Sequence, residues 1–136
     1  AYLRWLAEIE PINSAPARQP LTHTFCFEGV RLQLELGDAV QWCLHAPPVS
    51  SELEERFDAI YFDPYSPASA PRLWQQDIFA ALRERLAADG KLASYCVSRP
   101  VRDALTAAGF FVHKVPGPPG GKREVLLAQA APALRP

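Results

Sequence analysis

The sequence of 136 residues has no methionine, three cysteines and almost no net charge. Because no initiating methionine is present and the first residues have the pattern of a strand, we expect the chain to be a piece of a longer protein. Cys26, Cys43 and Cys96 show no CxxC spacing, which favours buried thiols in a reducing compartment over a disulfide framework or a zinc site. The three histidines have no HxxxH or HExxH spacing, so we expect no metal site.

Long apolar runs and a surplus of one charge are also missing. No run approaches the roughly 20 residues that span a bilayer, and the opening AYLRWLAEIEP lacks the pattern of a secretory signal, so we expect a cytoplasmic protein. The formal net charge is -1, so any contact with nucleic acid would have to be local. With 49% apolar residues, the chain can form one core, and we expect a single domain over 1–136 with a frayed tail at 130–136.

The first half of the chain shows strand periodicity. An apolar run at 3–9 predicts a buried strand, and three prolines between residues 11 and 20 predict a loop. Apolar residues then alternate with polar ones from Phe25 to Phe27 and from Val30 to Leu36, with Glu28-Gly29 between them. This pattern predicts a β-hairpin with half-buried strands. A short helix is expected from Asp38 to Leu44.

The second half alternates between strands and helices. Strands are predicted at 59–62, 91–97, 110–115 and 124–129, and a proline-rich loop at 63–71. One helix should begin near Pro71 and end at a Gly90 cap, because Trp74, Ile78, Leu82 and Leu86 recur every four residues. A second helix should run from a Ser98 cap to Ala108.

This order of elements predicts an α/β fold with a mostly parallel sheet. The loop between the last two strands is too short for a crossover helix, so those strands should form an antiparallel hairpin. Ligands of such sheets bind beyond the carboxyl ends of the strands. Three carboxylates, those of Glu8, Asp38 and Asp63, follow predicted strands there. Each alone can be a helix cap, but three together favour a ligand with hydroxyls, amines and a positive charge.

Two short segments carry the most specific chemistry. In FDPYSP, Asp63 leaves an apolar strand and Pro64 fixes the backbone after it, so the carboxylate can accept hydrogen bonds from an amine. Tyr65 can stack on a flat base, although a stiffened connector is the alternative. The GGKR turn can present Lys122 and Arg123 to a phosphate, although solvated hairpin turns are more frequent.

The runs DAIYFDPYSPASAPRLW, DGKLASYCVSRPVRDALTAAGF and KREVLLA together resemble the methyltransferase domain of MnmC-type tRNA-modifying enzymes. The resemblance covers nearly the whole chain and implies a Rossmann-like class I methyltransferase sheet. It also implies S-adenosylmethionine as cofactor, tRNA as partner, and methylation of the exocyclic amine of 5-aminomethyl-2-thiouridine at the wobble position.

The resemblance also implies roles for individual residues. Glu8 would hold the ribose of the cofactor, Asp38 would lie near its adenine, and Asp63 would sit beside the methyl group and orient the substrate amine. Substrate contacts would come from Pro64, Tyr65, Lys122 and Arg123. Asp63-Pro64-Tyr65 is similar to the (Asp/Asn)-Pro-Pro-(Tyr/Phe) motif of other amine methyltransferases, with its second proline missing.

One departure from the family pattern is large, because the sequence has no glycine-rich GxGxG loop. We therefore expect the first strand and that loop to lie upstream of residue 1, and this piece alone to bind cofactor weakly. Two alternatives stay open. The first is a methyltransferase that acts on another amine or RNA, and the second is a non-catalytic scaffold with a methyltransferase-like fold.

Overall fold

The computed structural model describes residues 21–45 and 56–130. The predicted strand at 3–9 with Glu8, the loop at 11–20 and most of the predicted tail lie outside the described residues. Contacts divide the chain into two units, Ala1–Asp38 and Ala39–Pro136.

The described part of the first unit is the β-hairpin that the alternation predicts. Strand β1 (Leu21–Phe27) pairs antiparallel with β2 (Val30–Leu36), and Phe27 lies opposite Val30. Glu28 and Gly29 form the turn, with φ angles of 48° and 80°. Positive φ at both central residues is the geometry that matches the twist of two-residue hairpins. The expected half-burial is wrong for most of the apolar residues that predicted it, since Phe25, Phe27, Val30 and Leu32 are 40%, 54%, 52% and 49% exposed.

The second unit contains a four-stranded sheet and its helices. In chain order its elements are α1 (Ala39–His45), β3 (Phe57–Tyr61), a 3-10 turn (Pro71–Trp74), α2 (Gln76–Glu84), β4 (Leu86–Ser94), α3 (Arg99–Ala107), β5 (Phe110–Pro116) and β6 (Glu124–Ala130). The α/β class and the antiparallel pairing of the last two strands are confirmed.

The strand order in this sheet is β3-β4-β6-β5. Strands β3 and β4 are parallel, whereas β6 runs antiparallel to both of its neighbours. Strands β3, β4 and β5 therefore run in one direction and β6 alone runs opposite to them, so over the described residues the sheet has the predicted combination of parallel strands and a C-terminal antiparallel hairpin. Strand β6 inserts between β4 and β5 and forms both antiparallel pairings.

The apolar stripe at 74–86 is buried as predicted, but its elements differ from the single predicted helix. Gln75 is extended, so a 3-10 turn and α2 replace one continuous helix. Helix α2 ends at Glu84, and Leu86 already belongs to β4. Gly90 does not cap the helix, because it lies within β4, where an added Cβ would come within 2.9 Å of the Phe57 carbonyl oxygen.

The predicted limits of α3 are nearly those observed. Ser98 occupies the N-cap position, but its hydroxyl lies 3.4 Å from the Cys96 thiol instead of bonding an N–H of the first turn. Gly109 ends the helix with a φ of 87°, as a glycine after a helix commonly does. The core formed by these elements contains Ile78, Phe79, Leu82, Leu92, Val101, Leu105, Phe110, Leu126 and Ala128.

Candidate active site

Asp63 lies at the carboxyl end of the parallel strand pair. Tyr61, the last residue of β3, is opposite Ala93 of β4, and the Phe62 N–H donates to the Ala93 carbonyl at 2.8 Å. Asp63 therefore leaves the sheet one residue after the last ladder bond, and its side chain is exposed. This is the position at which ligands of open α/β sheets bind.

A buried aromatic cluster fixes the backbone on which Asp63 stands. Phe62 is 9% exposed, and its ring packs edge-on against Trp74 at 5.2 Å and Phe79 at 5.4 Å between centroids. Three aromatic rings in these orientations stabilise each other beyond their buried area. Because Phe62 points into the core, the next residue points away from it.

The loop after Asp63 is held by hydrogen bonding from a side chain and within the backbone. The Trp74 indole N–H donates to the Tyr65 carbonyl at 2.9 Å, and the Ser69 N–H donates to the Ser66 carbonyl at 2.9 Å. Pro64 is half-buried, whereas the Tyr65 ring is 79% exposed. The loop thus offers a carboxylate and an aromatic ring to solvent on a fixed backbone.

The basic turn lies at the same edge of the sheet, which is the one formed by the carboxyl ends of β3 and β4. Because β6 is antiparallel to β4, its beginning lies at the carboxyl end of β4. There the Lys122 ammonium donates to the Tyr95 carbonyl at 2.9 Å. Arg123 is exposed, and its carbonyl accepts the Gly117 N–H at 3.0 Å, which closes the turn.

The structure thus brings Asp63, Pro64, Tyr65 and the basic turn to one edge of the second unit. Asp38 is exposed and follows β2 in the first unit, and Glu8 lies outside the described residues, so their roles stay predictions. Tyr95 was missed by the sequence analysis. The predicted strand at 91–97 included Tyr95, whereas the observed strand ends at Ser94, so nothing in the sequence signalled that Tyr95 lies at the carboxyl end of β4.

The resolved electrostatic effects lie away from this edge. Arg72 donates two hydrogen bonds to Asp77, one of them at 2.7 Å, and this contact holds the pKa of the Asp77 carboxyl below its usual range. Burial raises the pKa of the Cys43 thiol. Cys96 is half-buried, but Cys26 is exposed on β1, so the expectation of three buried thiols is wrong for Cys26.

A shallow groove of about 470 Å³ lies between the start of α2 and helix α3. Pro67, Trp74 and Val101 are among its lining residues, whereas Asp63 and Lys122 are not. Among the described residues, no group of His, Cys, Asp and Glu side chains is arranged to hold a metal ion. No helix in the described ranges has the length and apolar character to cross a membrane.

Comparison with known proteins agrees with this geometry. A family model described as S-adenosyl-L-methionine-dependent methyltransferase matches residues 8–131. The chain is 40% identical over 113 residues to the tRNA 5-methylaminomethyl-2-thiouridine biosynthesis bifunctional protein MnmC of Azoarcus sp. (strain BH72), covering 82% of this chain and 16% of that protein. It is 38% identical over 136 residues to the protein of that name from Delftia acidovorans, covering 98% of this chain and 20% of that protein.

A solved structure is similar as well. The crystal structure of MNMC2 from Aquifex aeolicus superposes with a TM-score of 0.56 at 29% identity, over 74% of this chain and 30% of that one. The chain spans about a fifth of the length of the curated relatives that it matches. The resemblance to MnmC-type enzymes is confirmed, and so is S-adenosylmethionine as the family's cofactor. The chain belongs to the S-adenosyl-L-methionine-dependent methyltransferases.

Proposed function

We propose that this chain carries the methyl-transfer activity of a cytoplasmic tRNA-modifying enzyme. Its substrate would be the exocyclic amine of 5-aminomethyl-2-thiouridine at the wobble position of tRNA. The name shared by the MnmC relatives supports this substrate. The observation that carries the proposal is the exposed Asp63 carboxylate at the carboxyl end of β3, on a backbone anchored by Phe62 and Trp74.

The residues at this edge suit a cofactor that carries a positive charge and hydroxyl groups. Asp63 offers an exposed carboxylate at this edge, and Asp38 is an exposed carboxylate that follows β2 in the first unit. When bound, S-adenosyl-L-methionine supplies a methyl group activated by its positively charged sulfur. In this proposal Glu8 and Asp38 bind the ribose and adenine parts of the cofactor, and Asp63 contributes negative charge near the sulfur.

Asp63 also has a task on the substrate side. The amine must present its lone pair along the line of displacement, so correct placement lowers the barrier. A carboxylate that accepts an amine N–H fixes that direction. It can then take up the proton that the nitrogen loses after methylation. Pro64 and the Trp74–Tyr65 hydrogen bond keep the carboxylate in position during this exchange.

Recognition of RNA by a chain with a formal net charge of -1 requires local contacts. The exposed Lys122 and Arg123 supply local positive charge at the edge where Asp63 lies. The Tyr65 ring, being mostly exposed, is available to stack on a base that has left its neighbours.

The test is mass analysis of tRNA nucleosides from a strain in which the gene is deleted. We expect 5-aminomethyl-2-thiouridine to accumulate and its methylated form to disappear. The intact gene should reverse both changes, and a copy with Asp63→Asn should not. Accumulation of a different unmethylated nucleoside would replace the proposed substrate, and an unchanged nucleoside profile would favour the non-catalytic scaffold.

A further inference from the structure

We propose that Tyr95 is a substrate-binding residue at the site of Asp63, where its ring stacks on the target nucleoside or its neighbour, and that Lys122 is the residue that positions it. This inference rests on the proposed function, because it needs a flat base as the ligand. It assigns a role to Tyr95, which belongs to neither of the two motifs found in the sequence. It also changes the expected role of Lys122, from phosphate contact to positioning.

The strand register places Tyr95 and Asp63 at equivalent positions, each two residues beyond the last paired residues of β4 and β3. Tyr61 and Ala93 are opposite one another in the parallel pair, so Asp63 and Tyr95 each follow two residues later, where the chain leaves β3 and β4. Neighbouring strands lie about 4.8 Å apart, and side chains at equivalent positions share a face. Phe62 and Ser94, one residue earlier, are both buried, whereas Asp63 and Tyr95 are both exposed.

The backbone around Tyr95 is fixed on both sides, while the residue as a whole is 45% exposed. Before it, the buried Ser94 hydroxyl accepts the Cys96 N–H at 3.2 Å, which shapes the turn that leaves β4. After it, the Tyr95 carbonyl accepts the Lys122 ammonium at 2.9 Å. An exposed aromatic ring on a fixed backbone loses little conformational freedom when it binds a base.

Tyr65 is held in the same way. Its carbonyl accepts the Trp74 indole N–H at 2.9 Å, and its ring is 79% exposed. Asp63 is therefore followed on its own loop by Tyr65, and Tyr95 follows the adjacent strand β4. The backbone carbonyl of each tyrosine accepts a hydrogen bond from a side chain. Aromatic rings beside a carboxylate suit an amine-bearing nucleobase, since the rings contact its faces and the carboxylate its amine.

The basic turn then contains two cations with different roles. Lys122 donates to a protein carbonyl, whereas Arg123 is exposed, so Arg123 is the candidate for phosphate contact. Phosphate contacts determine how steeply affinity falls with salt, whereas a residue that orients an aromatic ring does not. Salt dependence therefore separates the two roles.

The first experiment measures steady-state methylation of tRNA carrying 5-aminomethyl-2-thiouridine by the intact protein. We expect Tyr95→Ala and Tyr95→Leu to raise the KM for tRNA by about 10-fold or more, the usual effect of losing one stacked base. Tyr95→Phe should bring the KM back to within about 3-fold, because the ring is restored. The KM for S-adenosylmethionine should stay unchanged in all three, whereas a general distortion of the site would raise the KM for both substrates.

Phe111→Ala is the matched control. Phe111 is an aromatic residue of the same sheet and is 53% exposed, but it is the second residue of β5 and lies opposite Gln129, at the far end of β6 from the basic turn. Its removal should leave the KM for tRNA unchanged. A Tyr95→Leu protein with the parent's KM for tRNA would overturn the inference while leaving the proposed function intact. A parent protein that does not methylate this tRNA would overturn the proposed function, and this inference with it.

The second experiment repeats the measurement over a range of salt concentrations. Arg123→Ala should lower the slope of log KM against log salt by about 0.7–0.9, the value of one phosphate contact. Lys122→Ala should raise the KM with the slope unchanged, and the Lys122→Ala/Tyr95→Ala double variant should be no worse than Tyr95→Ala. An equal loss of slope in Lys122→Ala, or additive losses in the double variant, would overturn the positioning role.

Discussion

At the scale of single residues, the candidate site depends on alternation between buried and exposed neighbours. Phe62 is buried, whereas the next residue, Asp63, is exposed. Trp74 is only 6% exposed, and its indole N–H bonds to the carbonyl of Tyr65, which is exposed. The sequence predicted the buried set, because Trp74, Ile78 and Leu82 recur at helical spacing. It could not predict the Trp74–Tyr65 hydrogen bond, since that contact depends on how the loop returns to the 3-10 turn.

Trp74 should therefore be critical for stability. We expect Trp74→Ala to lower the free energy of unfolding by about 3–5 kcal/mol, the cost of removing a large buried aromatic side chain. Trp74→Phe keeps a ring but loses the hydrogen bond to Tyr65, which should cost less. Urea denaturation of the intact protein and both variants measures these differences. An unfolding midpoint of Trp74→Ala equal to that of the parent would contradict this account of the core.

At the scale of elements, the boundary between α2 and β4 shows where sequence periodicity is insufficient. Leu86 continues the four-residue spacing, so the pattern predicts helix, yet the chain turns into a strand there. The reason is a long-range contact, because the Arg85 carbonyl accepts the Phe57 N–H at 2.9 Å and strand pairing starts at that point. Leu86 is buried in either arrangement, and its burial is therefore uninformative about the element that contains it.

The contribution of the start of α2 to the stability of the fold should depend on pH, because it includes the Asp77 carboxyl. The Arg72 hydrogen bonds hold the pKa of this carboxyl below its ordinary value in the folded protein. Its stabilisation is therefore present above the unfolded-state pKa and is lost as the pH falls through the folded-state pKa. We expect Asp77→Asn, which keeps an acceptor for the Ile78 N–H, to melt at a lower temperature than the parent at neutral pH.

Thermal unfolding at several pH values checks this expectation. The difference between Asp77→Asn and the parent should shrink as the pH falls below about 4, where the carboxyl of the unfolded chain begins to be protonated. Because both side chains of the pair are about half exposed, the difference should be small and should decrease at high salt. A difference of constant size from neutral pH to about 2 would contradict the electrostatic cause.

The turn between β5 and β6 should be sensitive to small changes in volume. A Cβ added at Gly117 would lie 1.8 Å from the Lys122 carbonyl oxygen, so the backbone would have to move. We expect Gly117→Ala to lower the free energy of unfolding by about 1–3 kcal/mol, as overpacking typically does. Pro119→Ala, an exposed position of the same loop, is the control. Hydrogen exchange should show faster exchange at Val125 and Leu126 in Gly117→Ala alone.

At the scale of the whole molecule, the α/β class, the hairpin and the final antiparallel pair followed from local patterns. The strand order did not, because pairing of β6 between β4 and β5 joins residues far apart in sequence. The same limit applies to the site. FDPYSP and GGKR were visible as motifs, but their meeting at one sheet edge, and the presence of Tyr95 there, depend on register.

The central claim is that Asp63 directs methyl transfer to a tRNA amine. The most direct test is the rate at which the intact protein transfers labelled methyl groups from S-adenosylmethionine to tRNA carrying 5-aminomethyl-2-thiouridine. Asp63→Asn should lower kcat by about 100-fold or more with an unchanged melting temperature. Asp89→Asn, which alters an exposed carboxylate in the amino half of β4, should retain the parent's rate. An Asp63→Asn protein as active as the parent would contradict the account.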